Sequence, residues 1–176
     1  MKRSFILSLV FFYAFGASAQ VKLPRLIRDS MILQRDEKIK LWGWAAANEK
    51  VAIRFNGKQY KTNADDQGNW SLLLPPTKAG GPYTLEITAS NKISLREILF
   101  GDVWFCSGQS NMVHQMNIHD ITYAKDIAEA AYPRIRQFLI PTLTSLQGPQ
   151  NDLPAGACKA AVGEEVSPFS AVAYFF

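Results

Sequence analysis

The residues best suited to chemistry lie in one short stretch, residues 101–112, which reads Gly-Asp-Val-Trp-Phe-Cys-Ser-Gly-Gln-Ser-Asn-Met. It places a serine hydroxyl in a tight turn after an apolar strand, which is where open α/β sheets present ligands. Gly108 lets the backbone bend sharply, and the backbone N–H groups around Ser110 and Asn111 could point toward a substrate oxygen. Ser110 is therefore a candidate nucleophile.

A purely structural interpretation competes with this one. Ser107, Ser110 and Asn111 are residue types that readily hydrogen-bond their own backbone in turns. Composition alone favours a polar turn without catalytic function. The order of the residues has to decide between the two interpretations.

The elements around Ser110 predict the beginning of an α/β layer fold with a parallel sheet. Val103 to Cys106 form a nearly continuous apolar run, which is typical of a strand covered on both faces. Asp120 is predicted to cap a helix over residues 121–131, and residues 134–140 form the next predicted strand. Residues 142–166 lack periodicity, so we expect a long surface loop there.

The residues before this stretch predict short strands joined by turns. Val51, Ile53 and Phe55 alternate with polar residues and run into Asn56-Gly57, a strong hairpin signal that predicts residues 59–62 as the partner strand. Two further alternating strands are predicted at residues 70–74 and 83–87. The pattern predicts a small all-β sandwich of jelly-roll or immunoglobulin-like type.

Trp42 and Trp44 allow two interpretations. Indole rings suit the apolar faces of sugars. In a sandwich this small, however, such residues more often pack against the sheet or the core. We favour packing, and sugar contact stays the alternative.

The first nineteen residues have the order of a secretory signal peptide. Lys2 and Arg3 precede an apolar run, and Ala17-Ser18-Ala19 supplies the small residues of a cleavage site after Ala19. The apolar run is too short to span a bilayer comfortably, so we expect no stable membrane insertion after cleavage. The mature protein is expected to be secreted or periplasmic.

Charge and composition exclude some classes of function. Cleavage would remove Lys2 and Arg3, so the formal net charge falls from +4 to +2. Without a basic cluster, nucleic-acid binding has no support. An apolar fraction of 48% and an aromatic fraction of 12% are those of a globular protein.

The two cysteines, Cys106 and Cys158, could pair in an oxidising compartment. Cys106 lies inside the apolar run, however, where a buried free thiol is expected. We favour two structural thiols and leave the disulfide open. Two cysteines and two histidines in this arrangement do not suggest a metal site.

The stretch from Gly101 to Met112 closely resembles the nucleophile block of the sialate O-acetylesterase family, a branch of the SGNH-type hydrolases. The resemblance extends over nearly the whole mature chain. It includes residues 23–34, 42–44, 66–70 and 79–84 before the block, and residues 132–136 and 169–176 after it.

The resemblance implies a serine-dependent hydrolase of O-acetyl esters on sugars, with no metal or organic cofactor. Ser110 would be the nucleophile, and its backbone N–H would be an oxyanion donor. Gln109, Asn111 and His114 would line the substrate site. Ser107 would be structural.

The resemblance also exposes a missing part. An activated serine needs an imidazole, usually held by a carboxylate. In the family these groups come from an Asp/His motif late in a much longer chain, whereas His114 and His119 are the only histidines here. We do not expect either to be the base, and we expect His119-Asp120 to lead into a helix cap.

The sequence thus predicts a signal peptide (1–19), a β-sandwich domain (20–98) and the N-terminal part of an SGNH-type esterase domain (99–176), truncated before the rest of its active site. The predicted activity is that of a sialate O-acetylesterase, and the predicted partner is an O-acetylated sugar. An acetylesterase for xylan or another glycan is one alternative. A catalytically inert carbohydrate-binding or vestigial module is the other.

Overall fold

The fold is described by a computed structural model over residues 20–176, with only the backbone described for Asp120. The predicted signal peptide lies outside the described residues. The strands are β1 Ile32–Gln34, β2 Ile39–Trp44, β3 Lys50–Phe55, β4 Lys58–Asn63, β5 Asn69–Leu74, β6 Gly80–Thr88, β7 Lys92–Gly101, β8 Ala131–Phe138 and β9 Cys158–Val162. The α-helices are α1 Ser110–Val113, α2 Asp120–Glu129 and α3 Ala171–Phe175, and short 3-10 helices span Met116–His119 and Gly163–Val166.

The predicted hairpin at Asn56-Gly57 is confirmed. Strands β3 and β4 pair antiparallel, with Phe55 opposite Lys58. Asn56 and Gly57 have φ angles of 47° and 72°, so both adopt the left-handed conformation of a two-residue hairpin turn. Val51, Ile53 and Phe55 are buried, because alternate residues of β3 face the core.

The larger sheet has five strands in the order β1-β7-β6-β3-β4. It is mixed, because β1 pairs parallel with β7 while the other neighbours pair antiparallel. Strands β2 and β5 form a separate antiparallel pair. Side chains from both sheets, such as Ile53 and Leu85 from one and Leu41 and Leu74 from the other, share one apolar core. Whether this arrangement belongs to the sandwich class stays a prediction.

Strand β2 separates its two faces clearly. Leu41 and Gly43 are buried, whereas Trp42 and Trp44 on the opposite face are half-buried. Trp42 also packs against the core, in agreement with the favoured packing interpretation.

The region after β7 differs from its predicted layout in two ways. Strand β8 occurs close to where a strand was predicted, but it pairs antiparallel with β9, so the expected parallel pairing is wrong for these strands. Strand β9 and the 3-10 helix Gly163–Val166 both lie within the segment predicted as a loop. Ala161 and Val166 from this segment fill a second small core with Met116 and Ile127. Tertiary packing therefore orders a segment that has no periodicity of its own.

Helix α2 begins one residue earlier than predicted. Asp120 is its first residue rather than its cap, and His119 occupies the N-cap position. Helix boundaries commonly shift by a residue or two, so the prediction that this segment is a helix holds.

Leu85 and Leu73 offer a matched test of the larger core. The Leu85 side chain is fully buried, whereas Leu73 is 57% exposed. We expect Leu85→Ala to lower the free energy of unfolding by about 2–5 kcal/mol, because it removes buried methyl groups and leaves a cavity. Leu73→Ala should change it by less than about 0.5 kcal/mol. Urea titration followed by circular dichroism measures both. Equal losses of unfolding free energy in the two variants would contradict the burial of Leu85 in the core.

Candidate functional site

The segment that leads to Ser110 is extended and exposed. Residues 102–108 form no strand, and Trp104 and Phe105 are 68% and 82% exposed. The predicted buried strand at Val103 to Cys106 is therefore wrong for this chain. A strand requires a hydrogen-bonding neighbour, and no segment within residues 20–176 pairs with this run.

The beginning of this segment is nevertheless fixed to the larger sheet. Gln34 is the register partner of Gly101 in the parallel β1–β7 pair, and its side-chain oxygen accepts a hydrogen bond from the Val103 backbone N–H at 3.0 Å. The next residue, Arg35, donates from its backbone N–H to the Gly101 carbonyl at 2.9 Å. Strand β1 thus continues to hold the chain after β7 ends.

An ion pair strengthens this attachment. The Arg35 guanidinium donates to the Asp102 carboxylate at 3.0 Å and to Asp36 at 2.8 Å. These two carboxylates, Asp102 foremost, raise the pKa of Arg35. Because the pairs are exposed, they add little stability, and their main effect is to orient Asp102.

Ser110 is the first residue of helix α1 and is exposed. Gln109 occupies the N-cap position without a side-chain capping bond. The first N–H groups of a helix have no partner within the helix, so the N–H groups of Ser110 and Asn111 are suited to donate hydrogen bonds to an outside oxygen. Gly108 packs closely against this turn, because a Cβ there would lie 3.2 Å from the Met112 Cβ.

The C-terminal segment holds helix α1 from its other side. The Ser170 hydroxyl donates to the Met112 sulfur at 3.4 Å and, as the N-cap of α3, accepts from the Ala173 N–H at 3.3 Å. The His114 carbonyl accepts from the Ala171 N–H at 2.8 Å. This supporting role of Ser170 was not predicted, although a serine directly before an apolar run is a typical helix-start pattern.

The predicted substrate-lining residues are grouped around Ser110 by the chain itself. Gln109 and Asn111 are exposed on the same turn, and His114 is half-buried at the end of α1. All the predicted site residues are therefore neighbours along the chain.

The two histidines contact each other. The rings of His114 and His119 lie 4.6 Å apart, centre to centre, at an angle of 31°. Among the described residues, no hydrogen bond joins the Ser110 hydroxyl to either ring. The geometry therefore gives no support to a base role for His114 or His119.

A large cleft opens beside α1. Its volume is about 1500 Å³, and its walls come from residues 101–108, strand β8 and the C-terminal segment. Gly108 and Met112, on either side of Ser110, belong to its wall. Much of the lining is exposed and apolar; the most exposed examples are Trp104, Phe105, Val113, Ile135 and Phe176.

Both cysteines line this cleft and are free thiols. Cys106 is exposed, so the expectation of a buried thiol is wrong for this residue. The buried strand in which it was predicted to lie does not form. Cys158 is half-buried and donates its S–H to the Ser30 carbonyl at 3.0 Å. Burial raises the pKa of Cys158, and the nearby Arg136 and Arg28 charges and a backbone hydrogen bond from Ile32 offset this only in part.

Within residues 20–176, no group of three or more His, Cys, Asp or Glu side chains is arranged to hold a metal ion. No helix in that range is long and apolar enough to cross a membrane.

Comparison with known proteins identifies relatives of one kind. The chain is 33% identical over 153 residues to the sialate O-acetylesterase of Rattus norvegicus, an alignment that covers 78% of this chain and 28% of the rat protein. It is 29% identical over 150 residues to the sialate O-acetylesterase of Homo sapiens, covering 74% of this chain and 27% of the human protein. No family model matches the chain.

A solved structure agrees with these relatives. The crystal structure of a carbohydrate acetylesterase from Xanthomonas citri superposes with a TM-score of 0.83 at 38% sequence identity. The match covers 88% of this chain and 36% of that protein. The chain spans less than a third of the length of the rat and human relatives.

The Gln34 contact can be tested by hydrogen exchange. Gln34→Ala removes the acceptor of the Val103 N–H, a bond worth about 1 kcal/mol, so exchange of that amide should become about fivefold faster. Gln59→Ala, an exposed glutamine of β4, is the matched control. NMR measures the exchange rate of the Val103 amide. An unchanged rate in Gln34→Ala would contradict the hydrogen bond between Gln34 and Val103.

The two thiols should differ in reactivity. Because Cys106 is exposed and burial raises the pKa of Cys158, Cys106 should react with a disulfide reagent about tenfold faster or more near neutral pH. Because the pKa of Cys158 is raised, its thiolate should form, and its reaction accelerate, only at a pH above the usual range for a thiol. Thiol titration of the native chain and of Cys106→Ser measures this. A fast phase that survives in Cys106→Ser would contradict the assignment.

Proposed function

Because this chain is homologous to sialate O-acetylesterases along three quarters of its length, we propose that it is the N-terminal part of a carbohydrate acetylesterase in which Ser110 is the nucleophile. The observation that carries the proposal is the position of Ser110. Ser110 is exposed at the first residue of a helix that the C-terminal segment contacts through Met112, and the segment leading to it is attached to the larger sheet at Val103. An acetylated carbohydrate is the proposed substrate, and sialic acid is the proposed sugar.

The proposed reaction transfers an acetyl group twice. The Ser110 Oγ attacks the ester carbonyl and loses its proton to a base, the bond to the sugar oxygen breaks, and the sugar alcohol leaves with a proton. Water then attacks the acetyl-enzyme, which releases acetate and restores the hydroxyl. The backbone N–H of Ser110 is the proposed donor to the oxyanion. Gln109, Asn111 and His114 are the proposed substrate-lining residues.

The base is proposed to come from sequence outside this chain. An attacking serine needs an imidazole within hydrogen-bond reach, and the two histidine rings here stack on each other instead. The curated relatives are more than three times longer than the matched region. An Asp/His motif in such additional sequence would complete the site.

The exposed cleft supports the same proposal. Soluble proteins rarely leave a contiguous apolar surface of this kind uncovered unless something binds there. Trp104, Phe105 and Phe176 lie in its wall with most of their surface exposed. We propose that further elements of the complete esterase domain cover it.

The proposed organisation follows the sequence prediction. Residues 1–19 are a signal peptide cleaved after Ala19, residues 20–98 form a β-sandwich domain, and residues 99–176 begin the SGNH-type esterase domain. Secretion or export to the periplasm follows from the signal peptide. Two sheets that share one core are compatible with a sandwich.

A second candidate keeps the chemistry and changes the sugar. The structural neighbour is a carbohydrate acetylesterase, and an acetylated glycan such as xylan is the alternative substrate. Acetate released from O-acetylated sialic acid and from acetylated xylan can be compared directly. Faster release from sialic acid supports the first candidate, and faster release from xylan supports the second.

A third candidate is an inert carbohydrate-binding module. It is favoured for the 176-residue chain alone, since the described residues bring no base to Ser110. Turnover of an acetyl ester by the purified chain above background would contradict it.

Ser110 and Ser107 provide the central test in the complete coding sequence. Ser110→Ala should reduce hydrolysis of a simple acetyl ester by about 10⁴-fold or more, because it removes the nucleophile. Ser107→Ala, an exposed serine three residues away, should change it little. Circular dichroism verifies the fold of both variants. A Ser110→Ala variant with native turnover would refute the proposal.

A further inference from the structure

A second, smaller groove lies between the N-terminal segment, strand β2 and the loop after β8. Its volume is about 530 Å³, within the usual range of ligand sites. Its lining combines one indole with amide, hydroxyl and proline side chains, namely Pro24, Trp42, Leu143, Ser145, Gln150 and Asn151. It is separate from the turn that carries Ser110, and Leu26, Ile140 and Pro141 line both this groove and the large cleft.

We propose that this groove binds a pyranose ring of the glycan substrate, with Trp42 as its stacking platform. That the ligand is a sugar rests on the proposed function. The shape and lining of the groove are observed independently of it. Trp42 is half-buried, because it packs against the core and also lines the groove. A ring fixed in this way offers an apolar face at low entropic cost, and pyranose C–H groups suit such a face.

The loop side of the groove supplies polar groups. The Gln150 amide nitrogen donates to the Ser145 hydroxyl at 2.9 Å and to the Gly148 carbonyl at 3.1 Å, so the side chain is held in one orientation. Its carbonyl oxygen can accept a hydrogen bond from a sugar hydroxyl. Asn151 is exposed beside it. An aromatic face with a few fixed polar groups is the usual composition of a site that recognises a polar ring.

Three contacts join the N-terminal segment to the chain around and after the loop, and the first involves the groove residue Asp152. The Asp152 carboxylate accepts from the Arg25 backbone N–H at 2.9 Å. The Arg28 guanidinium donates to the Gly156 carbonyl, and the Cys158 thiol donates to the Ser30 carbonyl at 3.0 Å. These contacts fix the N-terminal segment against the loop without a ligand, and such pre-organisation lowers the entropic cost of binding.

The test uses the 176-residue chain and two unacetylated probes, sialyllactose and xylotriose. Quenching of tryptophan fluorescence and saturation-transfer NMR measure binding. We expect saturable binding of at least one probe, weakened about tenfold or more in Trp42→Ala. Trp44→Ala, on the same face of β2 but outside the groove lining, should bind as the native chain does.

Because Trp42 also packs against the core, a second pair of variants avoids an effect on folding. Gln150→Ala should weaken binding about fivefold, equivalent to one hydrogen bond, whereas Gln147→Ala in the same loop should not. No binding of either probe by the native chain would overturn the proposal. Native binding in both Trp42→Ala and Gln150→Ala would also overturn it.

This outcome is independent of the role of Ser110. Ser110→Ala should bind both probes as tightly as the native chain, because the serine does not line the groove. Loss of hydrolysis on changing Ser110 therefore tests the proposed function alone. Loss of sugar binding on changing Trp42 or Gln150 tests the groove alone.

Discussion

The parallel pairing of β1 with β7 is the constraint that fixes the start of the segment leading to Ser110. Strand β7 ends at Gly101, and from there the chain would be free to move. Strand β1 prevents this, because Gln34 and Arg35 hold residues 101–103 through the Gly101 carbonyl, the Asp102 carboxylate and the Val103 N–H. The sheet thereby fixes the start of the segment that leads to Ser110, although no residue of the sheet takes part in the predicted chemistry.

The opposite end of that segment depends on different contacts. Ser170 and Ala171 bind the turn of α1 through Met112 and His114, and the ring of Phe176 packs against Trp104 at 5.0 Å. Ser110 is therefore held between two parts of the chain, while one side of the intervening segment stays open to the large cleft. The proposed nucleophile is thus held on both sides, although no base from residues 20–176 reaches it.

Local patterns predicted much of the fold and less of the site. The β3–β4 hairpin was predictable because Asn-Gly and the alternation of Val51, Ile53 and Phe55 are local features. The exposure of Phe105 and Cys106 was not, since an apolar run indicates that burial is favourable but not which residues provide the cover. Strand β9 was missed for a related reason: it is ordered by pairing with β8 and by the packing of Ala161. The supporting contacts of Gln34 and Ser170 join distant residues, which spacing alone cannot reveal.

Covalent trapping on the product of the complete coding sequence tests the central claim, that Ser110 is the nucleophile, most directly. A serine-directed fluorophosphonate should be attacked by the same hydroxyl that attacks an acetyl ester, and its adduct is stable enough for peptide mass spectrometry. The account predicts one adduct, on Ser110, that appears as activity is lost. An adduct on Ser107 or on another residue, with Ser110 unmodified in the inactivated enzyme, would contradict it.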